Sequence, residues 1–179
     1  MIPQIIHDLN DIERHNRLIK ELSLQGITEY EFWDAIYDRE SVRKGINQAH
    51  KQIIDYAHLK RWDMVLVMEN DVRFCGLGAF DHYIGNIPQD FDIYLGGIYL
   101  GEIGQNSITK RFSGLHCYIV HSRFYETFLS VPDDEHIDIA ISELGVFKVS
   151  HPFTSIQYNG RSNNTKKYEN YDHLLQNRI

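Results

Sequence analysis

Residues 65–74, VLVMENDVRF, carry two acidic side chains separated by one residue, directly after the apolar run Met64 to Met68. Side chains two apart on an extended chain point the same way, so Glu69 and Asp71 converge on one face while Asn70 points to the other. Two converging carboxylates form an oxygen-rich site for a hard divalent cation such as manganese or magnesium. A cation held by only one or two carboxylates keeps open positions for phosphate oxygens, and as a Lewis acid it stabilises the charge that develops on a departing diphosphate. An acidic turn after a strand is also an ordinary solvated loop, and the tripeptide alone leaves both readings open.

Other residue types that bear chemistry are spread along the chain. His50 shares a helical stripe with Ile46, Ile54 and Ala57, so it is either a hydrogen-bonded core histidine or part of a ligand site. His116 lies inside an apolar strand, with the same two readings. His151 follows the last strand and precedes Pro152, at a strand end from which it could reach a site built on another element. Asp138 opens a short helix, where an acid suits the helix dipole and where a carboxylate could also serve as a general base. Arg14 and Lys51 are cations able to reach phosphate oxygens. Trp33, Trp62, Tyr94 and Tyr99 are more simply core than sugar platforms.

The elements that must position these residues alternate in type. PQIIHDL is a short apolar strand, followed by a helix with Ile12, Ile19 and Leu22 at helical spacing; Asn10 and Glu13 suggest its capping box and Gly26 its stop. A strand around Phe32 and Trp33 leads to a second helix from about Ser41 to Trp62. Five apolar residues without alternation, Met64 to Met68, predict a central strand covered on both faces. Further strands are expected within 91–101, over 115–120 and at VFKVS. Between them lie a helix bearing Phe124, Phe128 and Val131 after a Ser122 cap, and a short helix stopped by Gly145. Strands alternating with helices predict an α/β domain with a mainly parallel central sheet flanked by helices. In such sheets ligands settle at the carboxyl ends of the strands.

Length and charge narrow the function classes. A chain of 179 residues fits one domain, expected over 1–160, with a polar C-terminal tail or lid over 161–179. The net charge is −7 and the 18 Lys and Arg are scattered, which argues against nucleic acid as a partner. The first ten residues, MIPQIIHDLN, lack the basic start and apolar core of a signal peptide, and no window approaches the roughly 20 apolar residues of a membrane span. Cys75 and Cys117 lack any C-x-x-C spacing and suit reduced thiols. The expected location is cytoplasmic.

The order of motifs resembles the family 25 glycosyltransferases, which include bacterial lipopolysaccharide sugar transferases and relatives of the collagen galactosyltransferases. IIHDLNDIERHNRLIKELSLQGI is similar to that family's I-N-L-x-x-x-x-x-R start through Leu9 and Arg14. FWDAIYDRE resembles its f-x-A-x-D-G segment through Ala35 and Asp38. KGINQAHKQII resembles G-C-x-L-S-H through Gly45 and His50, with Ala49 for serine. VLVMENDVRF resembles the strand and L-E-D-D signature, with Asn70 for the middle acid. GLHCYIVHSRF is similar to G-T-H-A-Y-L-I-S through Gly114, His116 and Tyr118, HIDIAIS to v-D-x-x-L through Asp138, and SHPFTSIQYNGRSN to P-x-x-x-x-Q-x-x-x-x-S through Pro152, Gln157 and Ser162.

The resemblance, spanning about residues 2–163, implies a GT-A-type, Rossmann-like fold that binds a nucleotide sugar at the carboxyl edge of its sheet, usually with a divalent metal, and transfers with inversion. It implies a UDP-sugar donor and a glycan or other hydroxyl acceptor. Leu9, Arg14, Ala35, His50, Asn70 and His116 become donor-binding candidates. Glu69 and Asp71 become metal ligands, with His151 as a late imidazole ligand for Mn2+ or Mg2+, and Asp138 becomes the catalytic base, with Asp133 or Asp134 as substitutes. Asn70 and the short length also fit a second reading, a non-catalytic or degenerate nucleotide-sugar-binding domain. A third, metal-dependent phosphoryl hydrolysis, lacks a visible nucleophile motif.

Overall fold

A computed structural model describes residues 1–162 and 166–177. In chain order its elements are β1 (Gln4–His7), α1 (Ile12–Leu24), β2 (Glu31–Asp34), α2 (Val42–Leu59), β3 (Met64–Glu69), β4 (Val72–Phe74), α3 (Ala79–Gly85), β5 (Ile93–Leu95), β6 (Leu100–Ile103), β7 (Ile108–Ser113), β8 (Cys117–His121), α4 (Tyr125–Ser130), α5 (Ile137–Ile141), β9 (Phe147–Val149), β10 (Ser155–Gln157), β11 (Gly160–Arg161) and β12 (Tyr168–Glu169). Eight strands form one sheet in the order β2-β1-β3-β8-β5-β9-β7-β6. Six of the eight run in one direction; β8 and β7 run against them. The chain is thus a mixed α/β domain with a mainly parallel sheet between helices.

The unbroken apolar run of β3 has a direct structural cause. Val65 and Val67 face one core cluster together with Ala49, Ile53 and Ile54 of α2, Phe128 of α4, and Ile137 and Ile141 of α5. Leu66 and Met68 face the opposite cluster with Leu18 and Leu22 of α1 and Tyr83 of α3. With both faces dry, neither set of alternate residues is free to be polar. Each such side chain contributes roughly 1.5–3 kcal/mol on burial.

Several local expectations change. The cap of α1 is Asp11, not Asn10: its side chain accepts the Arg14 backbone N–H at 3.0 Å. The apolar stretch 91–101 divides into β5 and β6, separated by the Gly96–Gly97 pair. The strand β7 was not expected, because its buried Thr109 and Phe112 are three apart and Arg111, at φ 49°, breaks the two-residue alternation. Within the expected tail over 161–179, of which residues 163–165 and 178–179 lie outside the described residues, β12 pairs antiparallel with β11 and a 3-10 turn spans Asp172–Asn177, and Tyr171 and Leu174 enter the main core.

Gly45 shows why a helix position can lack a side chain. It lies where α2 passes the loop after β2, and a Cβ there would collide with the Ile36 carbonyl oxygen and come within 3.0 Å of the Asp38 nitrogen. Gly45→Ala should therefore push the 36–38 loop outward, costing about 1–3 kcal/mol as overpacking does. Thermal melting is expected to show a drop of about 2–4 °C for each kcal/mol in a chain of this size; an unchanged melting temperature would mean that the loop yields freely.

Candidate active site

The parallel register sets Glu69 of β3 beside Ile6 of β1, so His7, still paired with Asp34 of β2, and Asp8 after it run on past the end of β3. β2 ends alongside at Asp34. The carboxyl ends of these three strands border a cavity of about 400 Å³ whose wall includes Asp8, Arg14, Ala35, Tyr37, Asp38, His50, Glu69, Asn70, Asp71, Asp138, Gln157 and Tyr171. Ligands are expected at this edge of an open α/β sheet.

Glu69 and Asp71 converge, though not by strand alternation. β3 stops at Glu69, and Asn70 and Asp71 form the turn into β4. Glu69 Oε2 and Asp71 Oδ1 both face one amide nitrogen, Gln157 Nε2, at 3.4 and 3.5 Å. Each carboxylate's other oxygen is held by the protein: Glu69 Oε1 lies 3.1 Å from His50 Nε2, and Asp71 Oδ2 lies 3.3 Å from Arg14 Nη1. Because the turn ends the alternation, Asn70 does not face away; its Oδ1 accepts from Arg14 Nη1 at 3.3 Å and it lines the same cavity.

Burial governs the charge of this cluster. Removal from water pushes the Glu69 carboxyl above its ordinary value, and the neighbouring Asp71 and Asp138 carboxylates push the same way, while the His50 hydrogen bond opposes them. On the opposite wall the Tyr37 hydroxyl donates to Asp8 Oδ2. That bond holds the Asp8 carboxyl below its usual range, whereas burial and Asp8 together push the Tyr37 hydroxyl up to about 12. Burial, followed by the charge of Asp71, also pushes the Tyr171 hydroxyl up.

The other expected residues divide into those that reach the cavity and those that do not. Asp138 reaches it from the start of α5, its carboxylate fixed by the backbone N–H groups of Gly114 at 3.1 Å and Ile139 at 2.9 Å. Ala35 lines the wall, and His50 is buried between Glu69 and the core. Leu9 is exposed and off the cavity. His116 is buried outside the lining, with Nε2 3.2 Å from Ser155 Oγ. His151 is exposed and borders a separate depression with His82 and Lys148, so the expected imidazole ligand is not brought to the carboxylates. Among the described residues, no group of three or more His, Cys, Asp or Glu side chains could hold a metal ion.

Glu69 and Asp71 nonetheless suit a hard cation. Their two inward oxygens flank the amide of Gln157, whose Nε2 must be the atom facing them since carboxylates only accept, so the place between them is one that positive charge stabilises. Asp8, Tyr37 and Tyr171 were not singled out from the sequence; their roles depend on the ends of β1 and β2 and on the return of the last segment.

The solved structures with similar folds include A197 from STIV, with a TM-score of 0.51 and 11% identity over 88% of this chain and 86% of that one. A glycosyltransferase involved in the glycosylation of the major capsid of PBCV-1 has a TM-score of 0.50 and 13% identity over 85% and 83%. HddC from Yersinia pseudotuberculosis has a TM-score of 0.47 and 12% identity over 84% and 90%. The first two share with this chain a GT-A-type, Rossmann-like α/β fold. No protein-family model and no curated protein matches the chain, so the resemblance to family 25 rests on its ordered motifs.

Because burial raises the Glu69 carboxyl, stability should fall as pH rises from the ordinary value of 4.5 through the higher value in the fold. Glu69→Gln removes this effect. In buffer without divalent cations the variant should melt at or above the wild type at pH 8, by roughly 2–4 °C for each kcal/mol relieved. The gap should close towards pH 4; one that widens on acidification would show that burial does not govern this carboxyl.

Proposed function

We propose that the protein is a metal-dependent, inverting glycosyltransferase related to family 25, moving a hexose, galactose or glucose, from a UDP-sugar to a hydroxyl of a glycan or other acceptor. The observation that carries this reading is the gathering of Glu69, Asp71 and Asp138 around one cavity at the carboxyl ends of β1 and β3. The scaffold shared with the PBCV-1 glycosyltransferase is consistent with it. Manganese or magnesium held by Glu69 and Asp71 would supply Lewis-acid stabilisation to the leaving diphosphate.

The chain's own residues divide the remaining work. Arg14, whose guanidinium already lies beside Asp71, orients the phosphates and offsets their charge. Asp138, held by two backbone N–H groups that leave lone pairs towards the cavity, accepts the proton of the acceptor hydroxyl as it attacks the anomeric carbon. Tyr99 lines the cavity, and the acceptor would enter on its side.

A second reading, nucleotide-sugar binding without transfer, draws on one specific contact. Arg14 contacts both Asp71 and Asn70, the residue that stands where the family signature has an acid, so part of the charge that a cation would meet is already neutralised. Nucleotide release from UDP-sugars, followed with and without manganese and with and without sugar acceptors, separates the readings. Release that needs an acceptor supports transfer, binding without release supports the second reading, and acceptor-independent release indicates hydrolysis.

Two variant sets test the assignments. Asp138→Asn should lower transfer by about 10²–10⁴-fold, the usual contribution of a general base, while UDP affinity is retained; wild-type turnover would remove Asp138 from the role, and the expected substitutes do not take it up, since Asp133 and Asp134 lie outside the cavity lining and Asp133 is held by Lys51 and Gln48. Glu69→Ala and Asp71→Ala should each abolish manganese-dependent binding of UDP in calorimetry. Unchanged metal dependence in both would remove the pair from the metal site.

A further inference from the structure

We propose that His50 and Tyr118 are a positioning pair for Glu69, fixing which of its carboxylate oxygens is presented to the cation. The inference rests on the metal site proposed above and extends it to a residue, Tyr118, that does not touch the cavity. Tyr118 is fully buried on β8, with its ring stacked at 10° to that of Phe128. Its hydroxyl lies 2.7 Å from His50 Nδ1, and His50 Nε2 lies 3.1 Å from Glu69 Oε1.

The direction of the chain follows from the groups themselves. An ionised carboxylate only accepts, so His50 Nε2 carries the hydrogen; in the neutral ring Nδ1 then accepts, and the Tyr118 hydroxyl donates. Two elements, α2 and β8, thereby hold one oxygen of a residue at the very end of β3. The His50 side chain is 2% exposed, whereas that of Glu69 is 24% exposed, so the restraint is applied from the dry side and acts on the side that meets solvent. Oε1 is withdrawn into the core, and Oε2 is left facing the point shared with Asp71 Oδ1. Removing either partner frees the Glu69 side chain to turn, and outer partners of metal ligands typically change metal affinity by about 10–100-fold.

Calorimetric titration of manganese in the presence of UDP tests the pair. His50→Leu should weaken manganese by about 10–100-fold, and Tyr118→Phe, which keeps the ring and its packing, should weaken it in the same direction by less. His50→Gln should recover most of the loss, since its amide can donate to Oε1; equal losses in the leucine and glutamine variants would show packing alone at work and overturn the proposal. Wild-type titration in both His50→Leu and Tyr118→Phe overturns it as well, and Tyr118→Phe decides the matter if His50→Leu does not fold. Two other results would locate the failure in the metal site itself, and the pair's role would fall with it: no manganese-dependent UDP binding by the wild type, or its retention in Glu69→Ala.

Discussion

The structure depends on a carboxylate placed at the limit of a dry strand. Four residues of β3, Val65 to Met68, are buried on both faces, and Glu69 is the next residue in the same strand. A carboxylate in that position meets core on one side and a cavity on the other, and its ionised form is disfavoured unless donors reach it. Two donors do so, the His50 imidazole from α2 and the Gln157 amide from β10. The packing of α2 and the crossing of β10 over the sheet end are therefore tied to the charge of one side chain.

The same logic extends outward from Glu69. Asp71 adds a second negative charge close by, and Arg14 offsets it from the first turn of α1. Arg14 is itself placed by the Asp11 cap, which accepts its backbone N–H, so a routine helix-start device also aims the guanidinium. Across the cavity Tyr37 serves Asp8 in the same manner. The acids of the wall are held by donors that the protein supplies, which leaves a pocket of fixed dipoles and charges and not a loose acidic surface.

Much of this was legible in the sequence where the local pattern and the tertiary environment agree. The run Met64 to Met68 announced a strand with two buried faces, and the positions of Phe124, Phe128 and Val131 announced the buried stripe that they form. Glu69 and Asp71 were legible as a pair, but the geometry behind the expectation was wrong: a turn brings them together, and the same turn swings Asn70 inward. Gln157 appeared only as a match in a distant motif, because nothing local to it reveals that β10 crosses the end of β3. His151 failed for the complementary reason. A strand end is a sound place to look for a ligand, yet β9 lies several strands away from β3 in the sheet order. Tyr171 sits in a stretch whose polarity hides its two core residues, since two buried side chains in a polar stretch leave no periodic signal.

Arg14 carries one more consequence. Its Nη1 meets Asp71, 57 positions away, and its Nη2 meets the carbonyl of Arg161, 147 positions away, while Gln157 reaches Glu69 across 88. Closing loops of this length costs chain entropy before any contact rewards it, so contacts of this kind form after the local ones. The pocket is thus strongly non-local, assembled from segments that meet only when the last quarter of the chain has returned across the first. All eight strands of the large sheet lie within residues 4–149, so the first 150 residues hold every strand of it but none of the bonds by which Arg161 and Gln157 complete the cavity.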